Sequence, residues 1–127
     1  MKKSLASIAS VLATVVLAAA AQGADLIVPI VVSPSTINLQ AAGTWVTVHA
    51  EIDYSDVEAA SVTLNGIPVK ATFADNRGDL VAKFSVVDVR GIVEPGMAQL
   101  TLSGTTRDGD TFSGTDAVRV ISVQAKK

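Results

Sequence analysis

Residues Thr44 to Ile52 place Val46, Val48, Ala50 and Ile52 at every second position, with Trp45, Thr47, His49 and Glu51 between them. Side chains return to the same side every second residue only in an extended strand, so this segment has one apolar and one largely polar face. The same period recurs where Leu80, Ala82 and Phe84 alternate with Val81, Lys83 and Ser85, at Ala98, Leu100 and Leu102, and at Val118 and Val120 around Arg119. No segment beyond the N-terminal region carries a sustained helical period. A chain patterned this way is expected to be all-β.

Turn residues punctuate the strands. Asn65-Gly66 lies between Ser61–Leu64 and Ile67–Phe73, and this pair suits a two-residue hairpin whose central positions both need positive φ. Asp108-Gly109 is a second hairpin signal, joining Leu100–Thr106 to Thr111–Ser113, and Pro95-Gly96 marks another turn. A final strand is expected over Ala117–Val123, followed by a frayed Lys126-Lys127 tail. Leu26 to Val32 is β-branched but contains Pro29, which predicts an edge strand or one that switches sheets. Pro34 and Ser35 then make a bend. Alternation breaks from Val86 to Val93, where a short helical turn or crossover is expected. Seven or eight short strands separated by frequent turns predict a sandwich or barrel. The long connection at Val86–Gly96 favours a Greek-key sandwich. Its predicted core is Val46, Val48, Ile52, Val62, Leu64, Leu80, Phe84, Leu100, Leu102, Val118 and Val120.

The N-terminus follows a different logic. Lys2 and Lys3 precede an apolar or small-residue run from Leu5 to Ala21, which ends in small residues up to Gly23. That three-part form is expected of a prokaryotic secretory signal peptide. Ser7, Ser10 and Thr14 interrupt the run, and a spanning helix needs about 20 predominantly apolar residues. The expected organisation is a signal peptide at 1–23 and one domain at 24–127, periplasmic or secreted. No later apolar run reaches membrane length. Removing Lys2 and Lys3 from 10 basic against 12 acidic side chains leaves the domain with a charge of −4. Nucleic-acid binding needs clustered Lys and Arg, which such a surface does not supply. The chain has no Cys, which excludes disulfides and thiol chemistry and leaves stability to packing.

Three stretches taken in order resemble a small Ig-like β-sandwich module of bacterial and archaeal exported and cell-surface proteins. They are Ser33–Ile52 (SPSTINLQAAGTWVTVHAEI), Ala60–Val69 (ASVTLNGIPV) and Ala98–Ile121 (AQLTLSGTTRDGDTFSGTDAVRVI). The resemblance implies an accessory domain with no enzymatic activity of its own. Those modules often carry an Asp-rich, calcium-type loop before the strand that here begins at Asp79. In this chain the loop lies within Ala74–Phe84 (ADNRGDLVAKF) and is degenerate. Asp75, Asn76 and Asp79 offer oxygen ligands, but Arg77 puts a cation among them. Calcium takes six to eight oxygens, so no cofactor is expected, even with Asp53, Asp56 and Glu58 as helpers.

Catalytic patterns are sparse. A nucleophile needs an adjacent base, and the single His, His49, lies mid-strand on the Trp45 face, where a surface position is expected. The acidic residues gather in turn segments, where Asp serves turn formation alone. Arg77-Gly78-Asp79 spells an adhesion tripeptide but reads as turn chemistry. Trp45 is expected to pack at the sheet end rather than to form a sugar platform. The leading expectation is a non-enzymatic structural or binding module for an unidentified protein or cell-envelope partner. The alternative is an assembly subunit joined through its apolar N-terminal strand, because unpaired edges template association. Whether Leu26–Val32 folds back onto its own domain discriminates the two.

Overall fold

The structure is a computed structural model that describes residues 23–124; nearly all of the expected signal peptide, up to residue 22, and the Lys126-Lys127 tail lie outside the described residues. Ten strands occur among the described residues: β1 (Asp25–Ile27), β2 (Ile30–Ser33), β3 (Thr36–Asn38), β4 (Trp45–Asp53), β5 (Thr63–Leu64), β6 (Ile67–Pro68), β7 (Ala71–Ala74), β8 (Asp79–Ser85), β9 (Gly96–Thr105) and β10 (Thr111–Ile121). A short α-helix, α1 (Val86–Arg90), fills the break in alternation, and single 3-10 turns occupy Tyr54–Asp56 and Ala59–Ser61. The protein is all-β. One sheet has the order β1-β10-β9-β5-β6, with β3 also on β10, and the other has the order β2-β4-β8-β7.

The apolar positions of both sheets meet in one core. Ten of the eleven predicted core residues are buried, and Ile52 packs against them half-buried. The core also takes in Phe112, Ile37, Val32, Val57 and Val89, which the predicted set lacks. Ile37 was missed because β3 holds only three residues, too few to show a period. Val57 and Val89 lie outside regular alternation.

Two predicted strands are each divided between the sheets. Val28 N–H donates to the Ser113 carbonyl at 2.9 Å, while the next carbonyl, Pro29, accepts from Glu51 N–H at 3.0 Å. The chain therefore leaves β10 and joins β4 within one residue, and Pro29 stands where the ladder changes. Ile67–Phe73 divides likewise: Val69 N–H bonds Val62 in the first sheet and Lys70 N–H bonds Lys83 in the second. Thr111–Ser113 and the strand expected over Ala117–Val123 instead merge into one continuous β10, which ends at Ile121.

The first three strands form a strap along one edge. β1 pairs with Thr111–Ser113 and β3 with Arg119–Ile121, both parallel to β10. Between them β2 belongs to the other sheet, on β4. A Cβ at Gly114 would overlap the Val28 carbonyl oxygen and lie 2.6 Å from Ile30 Cγ2, so the missing side chain lets the strap through. Asp116 Oδ2 then accepts the outward Val32 N–H at 3.0 Å. Phe112, Gly114 and Asp116 thus fill the core, admit the strap and fasten it.

Candidate functional site

β7 and β8 are joined by Asp75–Asp79. Asp75 N–H donates to the Asp79 carbonyl at 2.9 Å and Gly78 N–H to the Asp75 carbonyl at 3.0 Å. Gly78 takes φ +87°. This is a three-residue hairpin loop in which a glycine supplies the left-handed position. The Asp75 carboxylate closes it from within, since Oδ1 accepts from Arg77 N–H at 2.8 Å and from Asp79 N–H at 3.0 Å.

The β9–β10 turn has the same construction. Thr106 N–H bonds the Asp110 carbonyl at 2.8 Å, Gly109 N–H bonds Thr106 at 3.1 Å, and Gly109 takes φ +91°. Thr106 Oγ1 accepts from Asp110 N–H at 3.1 Å, as Asp75 does from Asp79. Asp108 lacks positive φ, so this is not the two-residue turn. Asn65 and Gly66, at φ 48° and 85°, do form one. A hydroxyl in one hairpin therefore does what the supposed calcium ligand Asp75 does in the other.

The remaining loop oxygens follow suit. Arg77 Nη2 lies 3.5 Å from Asp79 Oδ2, and Asn76 is exposed. Asp53 sits opposite Asp79 across the β4–β8 ladder. The backbones of Asp56 and Glu58 instead bond Arg107 and Thr105 of the other sheet. Among the described residues no three His, Cys, Asp or Glu side chains gather as a metal-binding group.

The Asp79 N–H is the largest influence holding the Asp75 carboxyl below its ordinary value. Partial desolvation opposes it, and the Arg77 N–H and the charges of Arg77 and His49 add to it. A depressed folded pKa means that the ionised group contributes stability above its unfolded value, lost as pH falls through the folded one. By NMR, Asp75 is expected to titrate below the same residue in an unstructured peptide spanning residues 72–82. A midpoint at or above the peptide value would refute the arrangement.

Beside this turn, Val31, His49, Glu51, Asp75, Arg77 and Asp79 help line an open depression of about 340 Å³. His49 Nδ1 is 3.9 Å from Asp75 Oδ2, and its side chain is half exposed. The lining contains no Ser, Thr, Cys or Lys to act as nucleophile. The pairing registers also align Val31, His49, Val81 and Phe73 in one row across the outer face of this sheet. Lys83 Nζ lies 5.9 Å from the Trp45 ring centre and 5.6 Å from that of Phe73. Trp45 is 43 % exposed, against its expected packing role. The alternation placed Trp45 and Lys83 outward, but only the register brings Phe73 beside them. No family model matches this chain, and comparisons with curated proteins and solved structures gave no match.

Proposed function

We propose that residues 24–127 form a non-enzymatic, exported Ig-like module with a structural or binding role. The carrying observation is the strand order. Lettering β2, β4, β5, β7, β8, β9 and β10 as A to G gives A-B-E-D in one sheet and G-F-C in the other. That arrangement characterises constant-type Ig sandwiches. It supports the Greek-key reading and, with it, the resemblance to accessory modules.

The assembly alternative requires Leu26–Val32 to pair with a neighbour. These residues bond β10 and β4 of their own chain, which favours the free-standing module. Intact-mass measurement of the exported protein tests export directly, with loss of residues 1 to about 23 as the expected result. A species retaining Met1–Ala21 would defeat it. A panel of hydrolase assays tests the rest, since turnover abolished by His49→Ala would make the protein an enzyme.

Calcium is expected to leave stability unchanged. Asp75 is committed to its own turn, and the Arg77 cation repels a divalent ion at the same loop. Ligand binding to the native state alone raises the melting midpoint once its concentration exceeds Kd. Melting curves in millimolar calcium and in chelator should superimpose. An upward shift abolished by Asp79→Ala would establish a working site.

A further inference from the structure

At the end of the sandwich away from the Asp75 turn, α1 packs beside the loop that follows β3. Val86 N–H bonds the Thr44 carbonyl at 3.1 Å and fixes the two together. A pocket of about 170 Å³ opens between them, lined in part by Pro34, Ile37, Gly43, Trp45, Val86 and Arg90. Arg90 Nε is buried without a hydrogen-bond partner. The ion pairs among the described residues are His49–Asp75 and Arg77–Asp79, so no carboxylate lies within 4 Å of the Arg90 guanidinium. Gly43 carries no side chain at this point; a Cβ there would meet Arg90 Nη2 at 3.5 Å.

A buried donor left unbonded forfeits the hydrogen bond it would make with water, a larger loss when it is charged. Nε itself is walled off, but a guanidinium held without a carboxylate partner gains when a ligand supplies one. The planar fork of Arg matches a carboxylate with two parallel hydrogen bonds. The second wall is Trp45, whose ring face is electronegative and suits the C–H face of a saturated ring. The volume is below the ~300–1,000 Å³ of pockets for drug-sized ligands, which limits the occupant to one ring-sized unit.

We propose that the Arg90–Trp45 pocket binds a sugar carboxylate, a hexuronate unit either free or carried on an acidic glycan. Arg90 takes the carboxylate and Trp45 stacks on the pyranose ring. The assignment deepens the binding-module reading and rests on it.

The test is titration of the purified protein with glucuronate and with an oligogalacturonate, followed by Trp fluorescence and amide NMR shifts. Glucose, acetate and a short peptide with a free C-terminus serve as controls. Saturable glucuronate binding is expected, with shifts at residues 36–45 and 86–91. Arg90→Lys should weaken it at least about tenfold because the fork is lost, and Trp45→Ala should weaken it as well. Melting midpoints of both variants establish that they are folded. Tighter binding of the oligomer than of the monosaccharide identifies the glycan as the source; equal binding identifies the free sugar acid. The proposal is overturned by no saturation with the folded protein, by unchanged binding in Arg90→Lys, or by acetate, glucose or peptide binding as well as glucuronate. Release of new reducing ends from the oligomer would instead defeat the non-enzymatic reading while leaving the pocket assignment standing.

Discussion

Gly114→Ala is expected to destabilise the domain by the upper part of the about 1–3 kcal/mol typical of overpacking, or by more. The added methyl has no room. It would meet the Val28 carbonyl oxygen, which is main chain and has no rotamer to change, and Ile30 Cγ2 at 2.6 Å. Relief requires moving the strap away from β10. That movement would weaken Val28 N–H to Ser113 and Val32 N–H to Asp116, both bonds of 3.0 Å or less. Urea denaturation reads the effect as a lower midpoint, and hydrogen exchange should show Val28 and Val32 losing protection first. A variant as stable as the wild type would mean that the strap does not pass where it is described. Gly66→Ala is the control, since nothing lies within 4 Å of its Cβ position and only its positive φ is strained.

Leu100→Ala is expected to cost about 2–5 kcal/mol, as deletion of a buried Leu side chain does when its surroundings relax only partly. Leu100 is fully buried on the inner face of β9. Its strand is flanked by β10 on one side and β5 on the other, so neighbouring backbone has little freedom to close the cavity. Chemical denaturation measures the loss. A cost under about 1 kcal/mol would place Leu100 outside the core.

Inner-face residues were legible because a period of two survives any arrangement of strands. Val46, Val48, Leu100, Leu102, Val118 and Val120 could be read inward before their partners were known. The hairpin turns were legible from Asn65-Gly66 and from glycines at positive φ. Sheet membership was not. Leu26–Val32 and Ile67–Phe73 each look like one strand, because the residue at which a ladder changes partner keeps extended backbone and leaves the alternation intact. Pro29 flagged the first change, and Val69-Lys70 carries no such mark. Gly114 and Asp116 looked like a break in a strand; they are a passage and a fastening, and both depend on residues more than eighty positions away. The Asp75 loop was read for its ligands, and its Asp and Gly proved to be turn chemistry shared with Thr106–Asp110. Arg90 gave no signal, because an unpaired guanidinium is a property of surroundings that sequence does not print.

The strap also sets an order in time. Asp25 to Asn38 is made well before Thr111 to Ile121, which pairs with both of its ends. Such a contact closes nearly the whole chain into one loop, and its entropy must be met before the pairing stabilises anything. While a ribosome still holds β10, the strap can bond only to β4 through β2, and Val32 N–H and the groups facing β10 stay open to water. Completion of the domain therefore waits until β10 is free to pair, and until then any machinery that handles the chain meets a sandwich with one sheet unfinished.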